Sequence, residues 1–377
     1  QAVAGCLLAP DVRGSRLLSE RAAILGLSRK GQISPNGSCH LLRARDGWLA
    51  LNLAREDDWS MLPALFECAG RYTSRADVAA AVSRWRGAGL VERARMMGIP
   101  AALVGRGGKR PAPWMRMHWQ FESLARRRDY PRRSREPLVV DLSSLWAGPL
   151  CSHLLLQVGA RVIKVESSHR PDGARRASSA FYDLLNAGKA SVALDLQREA
   201  GRRQLQQLLL RADIVLEGSR PRALRQMGIH AEQVIARNPA LTWISITGYG
   251  RTEARADWVA FGDDAAVAAG AVAGCPPVFC GDALADPLTG IHAACAALAY
   301  WRAGGGVIVD LSLCDVVSHC LSFHRTEAAE KVYQDGDLWY LDGGEPRCRV
   351  QPPRARCAGG RAAELGADTD TIVRECL

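Results

Sequence analysis

Lysine is nearly missing from this chain of 377 residues: five of its 49 basic residues are Lys and the remainder are Arg. An Arg bias of this kind can follow genome composition as much as function. Aromatic residues make up only 6%. The Arg residues are dispersed apart from a cluster at 126–135, and no nucleic-acid motif is present, so a nucleic-acid partner is not expected. No apolar run approaches the ~20 residues that a bilayer span requires, so no membrane partner is expected either. None of the twelve cysteines forms a CxxC pair, and a chain this large does not need a disulfide scaffold. Cys151, Cys295, Cys314 and Cys320 lie in apolar segments and read as reduced thiols packed as small core residues. Cys275 and Cys280 are five positions apart with no nearby His, so a zinc site, or any metal, is not expected. The opening QAVAGCLLAP lacks the basic flank and long apolar core of a signal peptide, which gives a cytoplasmic expectation. Neither GxGxxG nor GxxxxGK[ST] occurs, which excludes a standard dinucleotide or P-loop site.

What is present points to an α/β protein. Apolar residues reach 48%, enough for large cores, and the net charge of +10 suits a polyanionic ligand such as a nucleotide cofactor. The length allows two or three domains. Residues 1–35 read as an N-terminal helix and connector. Residues 36–104 read as a small α+β domain, opening with two strands in CHLLRARDGWLALNLA joined at Asp46-Gly47, a common hairpin signal. Residues 105–136, rich in Arg, Pro and Gly, read as a basic linker, most simply a solvated connector. From 137 to 330, short apolar runs (LVVDL, RVIKVE, SVALDL, DIVLE, LTWISI, GVIVDL) alternate with amphipathic helices. That pattern predicts a Rossmann-like parallel sheet with crossover helices. Residues 331–377 read as irregular, with a strand near DLWYLDG and a closing helix that returns to the large domain.

Ligands bind such sheets at the carboxyl ends of their strands. Four polar loops fall there: ESSHRPDGARR, NAGKAS, GSRPRALR and TGYGR. They carry Arg170, Arg175, Arg176, Lys189, Arg220, Arg222 and Arg225, single cations suited to a ligand with several separated phosphates. Taken one at a time, each reads as solvated surface equally well. Asp286 precedes Pro287 and a long Ala-rich run, the signature of a helix start. An Asp there is a capping residue by default. It also meets the electrostatic condition for a nucleophilic carboxylate, since the helix terminus favours the ionised form.

At this point ordered segments accumulate. VVDLSSLWAGPLCSHLLLQVGARVIKVESSHRPDGAR, LNAGKASVALDL, ADIVLEGSRPRALRQMGI, NPALTWISITGYG, ADPLTGIHAACAALA and GGGVIVDLSLCDV resemble, in the same order, the class III coenzyme A-transferases of the CaiB/BaiF type. That family includes formyl-CoA transferase, the carnitine CoA-transferase and α-methylacyl-CoA racemase. DGWLALNLAREDDWSMLPALF resembles the family's small domain and ELGADTDTIVRECL its closing helix. Here the small-domain part comes first, so the order looks permuted or rearranged. The resemblance implies a homodimer, with coenzyme A carried as acyl-CoA and a carboxylic acid as second substrate.

By the same resemblance Asp286 falls on the catalytic nucleophile. It would take the acyl group as a mixed anhydride and then hold CoA as an aspartyl thioester, with Thr289 and Gly290 allowing close backbone approach. Lys189 and Asn186 fall in the CoA-contacting Asn-x-x-Lys loop, Arg170 and Arg225 in CoA-facing loops, and Trp146 where some transferases carry Gln before Ala-Gly-Pro. The racemases have His where this chain has Asp263, and Ala190 stands where Arg is common. His292, six residues after Asp286, reads as a packed helix histidine turned away from it. CoA transfer is therefore the leading expectation. The alternatives are acyl-CoA racemisation or other α-proton chemistry, and a non-catalytic CoA-binding or scaffold subunit.

Overall fold

A computed structural model describes residues 14–105, 113–120, 136–252, 254–323, 331–336, 338–342 and 348–376. The opening decapeptide and the Arg cluster at 126–135 lie outside the described residues. After a short helical turn at Gly14–Leu17 comes helix α1 (Glu20–Leu25), closed by Gly26 in the left-handed conformation. Strands β1 (Cys39–Ala44) and β2 (Gly47–Asn52) form an antiparallel hairpin. Ala44 pairs with Gly47, so the turn is Arg45-Asp46, one residue earlier than the Asp-Gly signal suggested. Helices α2 (Arg75–Val82) and α3 (Gly87–Met96) follow, and β3 (Ala101–Leu103) adds to β2. Ser74 and Asp77 cap α2 reciprocally, each side chain accepting from the other's backbone N–H. Leu42, Leu49 and Leu51 of the sheet bury against Val78, Val82, Leu90 and Val91 of the helices.

The stretch expected to be a connector contributes β4 (Arg116–Gln120). The chain then runs β5 (Leu138–Asp141), α4 (Ala147–Gln157), β6 (Arg161–Ser167), α5 (Ser179–Asn186), β7 (Ala190–Leu194) and α6 (Glu199–Arg211). It continues through β8 (Ile214–Glu217), β9 (Thr242–Thr247), α7 (Gly262–Ala269) and the small pair β10 (Val272–Ala273) and β11 (Val278–Phe279). Helix α8 (Ala285–Arg302), strand β12 (Val307–Ser312) and helix α9 (Leu313–Leu321) complete this run. Beyond it, β13 (Lys331–Asp335), β14 (Leu338–Asp342) and β15 (Cys348–Arg349) make a small antiparallel sheet where a single strand had been expected. Helix α10 (Thr369–Cys376) closes the described chain. The Asp368 carboxylate and the Thr369 hydroxyl accept from the Ser191 and Ala193 amides beside β7, and Ile372 joins the core there.

The large sheet has the order β4-β12-β9-β8-β5-β6-β7. All neighbours are parallel except β4, which lies antiparallel on β12. Counted from β5, the parallel strands take the 3-2-1-4-5-6 order of a Rossmann sheet, with the switch point between β5 and β8. Successive strand residues face opposite sides, as the pleat requires. Val139, Ile214, Leu216, Ile244, Val307 and Val309 join the core under α4 and α8. Val140, Val215, Trp243 and Ile308 join the core under α6 and α10.

Small residues let α8 pack tightly on α4. A Cβ at Gly290 would stand 2.6 Å from the Ala147 carbonyl oxygen and 3.1 Å from Leu150. Gly290 is thus consumed by helix packing, and the close backbone approach expected of it serves α4 rather than a ligand. Beyond β5 the chain turns sharply at Leu145, whose φ of 70° lies in the left-handed region and is uncomfortable by ~1–2 kcal/mol. The Asp172 carboxylate holds that turn by accepting from the Leu145 amide at 3.0 and 3.2 Å, and is itself held by Lys164 Nζ at 2.9 Å.

Candidate active site

Two helices begin at one place. The first turn of α7 presents Asp263 and Asp264, and the first turn of α8 presents Asp286. Asp286 is the second residue of its helix, with Leu284 at the cap position and no side-chain cap hydrogen bond. The capping role first ascribed to Asp286 is therefore corrected. Its carboxylate lies inside the turn, and its own amide donates to the Ala283 carbonyl at 2.9 Å. Ala283, with φ 43°, also donates its N–H to Asp263 Oδ1 at 2.8 Å, so one strained residue ties both helix starts together.

The carboxylates are bound unequally. Asp263 accepts from Ala283 and, at 3.1 Å, from Asn36 Nδ2. Asp264 Oδ1 accepts from the Phe261 amide at 2.9 Å and from Asn52 Nδ2 at 3.0 Å, whereas its Oδ2 is buried without a partner. Asp282 is gripped by Arg21 through two 2.7 Å hydrogen bonds. Burial raises all three first-turn acids: Asp263 to about 6, Asp264 to about 7 and Asp286 to about 7. For Asp286 desolvation is the largest cause, opposed by the positive charge of Arg21 and reinforced by Asp263, Asp264 and Asp282. A carboxyl poised near neutrality, half ionised and stripped of water, is suited to nucleophilic or proton-transfer work.

A cleft of about 800 Å³ opens between the small unit and the carboxyl ends of β8 and β9. Arg55, Arg95, Arg220 and Arg222 line it with Met96 and Trp258. Burial first, and then the like charges of Arg222, Arg55 and Arg170, lower the proton affinity of Arg220, with Asp257 opposing. An anion would relieve that crowding. Arg95 lies 4.0 Å from the Trp258 ring centre and 5.0 Å from that of Tyr249. Burial drives the Tyr249 phenol up, with Asp264 as the next cause and Arg95 opposing. The cleft wall thus reaches through Arg95 to Tyr249, whose phenol feels the charge of Asp264.

The other residues singled out from sequence are dispersed around this centre. Trp146 is buried, edge-on to Phe181 at 5.2 Å, with the Arg21 guanidinium 4.8 Å from its ring centre. Lys189 faces inward. Its Nζ donates to Ser152 at 2.7 Å, Asn186 at 2.9 Å and the Pro149 carbonyl at 3.0 Å, and lies 3.4 Å from Asp141. Burial lowers it to about 8 against the pull of Asp141. Asn186 is buried between Lys189 and the Tyr182 carbonyl. Arg170 is exposed, and Arg225 is exposed and paired with Glu232 at 3.4 Å. Of the other rim cations, Arg175 is tied to Glu166 at 2.6 Å, while Arg220 and Arg222 reach the cleft. His292 donates from Nδ1 to the Leu288 carbonyl, 2.8 Å away, and meets the Trp114 ring edge-on at 5.2 Å. Among the described residues no group of three or more His, Cys, Asp or Glu is arranged to hold a metal, and no helix is long and apolar enough to cross a membrane.

Sequence reading missed Arg21, Asn36, Asn52, Asp282, Arg55 and Arg95. Asp282, four residues before Asp286, was the one detectable candidate. Arg21, Asn36 and Asn52 lie more than 200 residues from the acids they bond, and Arg55 and Arg95 lie more than 100 residues from Arg220, Arg222 and Trp258 on the facing wall of the cleft, so no local pattern marks them.

Comparison with known proteins places these features in context. The family model described as CoA-transferase family III matches residues 136–338. The succinate–glutarate CoA-transferase of Agrobacterium fabrum is 32% identical over 248 residues, covering 59% of this chain and 59% of its own length. The succinyl-CoA–D-citramalate CoA-transferase of Chloroflexus aurantiacus is 32% identical over 199 residues, covering 48% of this chain and 50% of its own. A solved hypothetical protein from Mycobacterium tuberculosis is 27% identical, with a TM-score of 0.49 over 55% of this chain and 65% of that one. The chain thus spans about half to three-fifths of the length of the curated relatives it matches.

Proposed function

From the premise that this chain belongs to the class III CoA-transferase family, whose model matches more than half of it, we propose that it moves coenzyme A from an acyl-CoA thioester to a carboxylic acid, with Asp286 as covalent carrier. The observation that carries this reading is the Asp286 carboxylate, buried in the first turn of α8 near neutrality, in a fold that also presents an arginine-lined cleft. In the ionised form, an Asp286 oxygen attacks the thioester carbonyl. The C–S bond breaks, CoA leaves as thiolate, and a mixed anhydride remains. The thiolate then attacks the aspartyl carbonyl and releases the donor acid as carboxylate, leaving aspartyl-CoA. An acceptor carboxylate attacks that thioester, forming a new anhydride and freeing the thiolate. Attack of the thiolate on the acceptor acyl carbon yields the new acyl-CoA and restores Asp286. Protons are conserved throughout, so no separate general base is required. Backbone dipoles at the converging starts of α7 and α8 favour the negative charge that develops in each attack.

The cleft suits the phosphorylated end of the substrate. Arg55, Arg95, Arg220 and Arg222 supply charge, and Trp258 supplies an aromatic face. Lys189 and Asn186 support this site indirectly, by fixing the end of β5 through Asp141 and Ser152. Asp263 has both oxygens occupied by Ala283 and Asn36, which favours a nucleophilic Asp286 over α-proton chemistry shared with position 263. A homodimer, implied by the family resemblance, is part of the same proposal, and sedimentation velocity checks it.

The test is chemical. Incubation with a panel of acyl-CoAs, quenched and digested, gives a CoA adduct on the Asp286 peptide by mass spectrometry, and hydroxylamine converts it to a hydroxamate. Asp286→Asn gives neither. Absence of both products in the unaltered protein would sink the covalent mechanism.

A further inference from the structure

The acid cluster receives a cation from far outside the family-matched residues. Arg21 lies on α1, yet its Nε and Nη2 meet Asp282 Oδ2 and Oδ1, both at 2.7 Å. Its guanidinium is seated against the Trp146 ring, 4.8 Å from the centroid, so the fork has one orientation. The preceding residue anchors the helix from behind. Glu20 is buried, and Arg356 grips its carboxylate, with Nη2 at 2.8 Å from Oε2. Asp282 is itself 4% exposed and stands four residues before Asp286, in the segment whose Ala283 links the starts of α7 and α8.

We propose that Arg21 is a positioning residue for Asp286: its clamp on Asp282 fixes the approach to α8 and supplies the positive charge that a buried nucleophilic carboxylate needs. The proposal rests on the reading of Asp286 as nucleophile. The groups whose charge acts on Asp286 are Arg21, Asp263, Asp264 and Asp282, one cation against three acids. Four carboxylates in one dry pocket repel one another, and repulsion is relieved by protonation, which removes the nucleophile. Arg21 opposes that outcome twice, by neutralising Asp282 and by attracting the charge of Asp286. Its contacts are with Asp282 and the Trp146 ring, so its effect on Asp286 is exerted through charge and position. The two singly mutated partners therefore have opposite effects, which a merely structural clamp does not predict.

The experiment is a ¹³C NMR titration of the full chain labelled at the aspartate carboxyl carbon, with the Asp286 resonance assigned by its loss in Asp286→Asn. In Arg21→Met the Asp286 midpoint moves up, and a rise of one unit from about 7 lowers the ionised fraction at pH 7 about fivefold. In Asp282→Asn, which leaves Arg21 a neutral acceptor, the midpoint moves down. An unchanged midpoint in Arg21→Met, or movement of both variants in the same direction, overturns the proposal. If Arg21→Met does not fold, Asp282→Asn decides alone, and a midpoint that stays or rises overturns it. The titration needs no substrate, so a protein that forms no CoA adduct refutes the functional reading without touching this result. Where turnover is measured, the alkaline shift of the Arg21→Met pH–rate profile matches the NMR shift.

Discussion

Gly262 lies directly against the Asp286 carboxylate: a Cβ at position 262 would stand 2.6 Å from Oδ2 and 2.5 Å from the Ala283 carbonyl oxygen. The absence of a side chain at the first residue of α7 is what allows the two helix starts to meet. Gly262→Ala must push Asp286 or the Ala283 turn aside. Overpacking of this kind is expected to destabilise by ~1–3 kcal/mol, and a displacement of the order of an ångström lowers a positioned reaction about a hundredfold. Thermal melts together with adduct formation check it. Full adduct formation in a folded Gly262→Ala protein would count against the geometry.

The raised acids contribute a pH dependence of stability whose sign is definite. Asp263, Asp264 and Asp286 stand at about 6, 7 and 7, above the ordinary Asp value of about 3.9. Between about pH 4 and 7 the folded state holds protons that the unfolded chain has released, so these groups make stability fall as pH rises through that window. Asp141 and Glu166 are lowered and act oppositely, losing their contribution as pH falls below the ordinary carboxylate range. Buried His40 and His153, lowered to about 4 and about 3, and His292, also lowered, make stability rise with pH up to about 6.5, so the acids are read above that value: the expected urea midpoint falls between pH 6.5 and pH 7.5. Asp264→Asn keeps an oxygen acceptor for the Phe261 amide and removes a buried titrating carboxyl, so it raises the midpoint at pH 7.5 and flattens the pH slope. An unaltered slope would exclude Asp264 as its source.

Lys189 is expected to matter first to folding. Lys189→Met leaves Asp141 buried with only Ser143 and Ser152 donating side-chain hydrogen bonds, and loss of one partner of a buried ion pair costs about 3–5 kcal/mol. The double variant Lys189→Met, Asp141→Asn recovers part of that loss. Chemical denaturation of the four members of this cycle measures the coupling, and additive effects would contradict it.

Arg222 gives the contrasting case. It is half exposed and pairs with exposed Asp257 at 3.3 Å, so Arg222→Ala is expected to change stability by no more than about 0.5 kcal/mol. If the cleft takes the phosphorylated end of acyl-CoA, the same change raises KM about tenfold with kcat retained, since one charge-assisted contact is lost in ground and transition states alike. Steady-state kinetics at two ionic strengths decide it, and an unchanged KM removes Arg222 from the binding surface.

Much of the large sheet was legible because its signals are local. Apolar runs of strand length alternating with amphipathic helices dictate a parallel sheet, and the hairpin at residues 39–52 was placed to within one residue. The Arg-rich stretch around 116–120 concealed an edge strand, because pairing with β12 is a long-range fact that composition does not report. Likewise, position among the polar loops did not say which way Lys189 turns. A buried carboxylate at Asp141 draws it inward, and that attraction exists only once β5 and β7 lie in one sheet.

The sequence by itself determined the α/β character, the order of the strands along the chain, and the helix start that carries Asp286. Each depends on periodicity or on a few adjacent residues. Tertiary structure alone decided the company Asp286 keeps. Asn36, Asn52 and Arg21 reach their acids across 227, 212 and 261 positions, and Gly262 makes the room. The physical reason is that burial and Coulomb attraction act through space. A carboxylate's charge state depends on which groups the fold brings within a few ångströms, however distant they are along the chain.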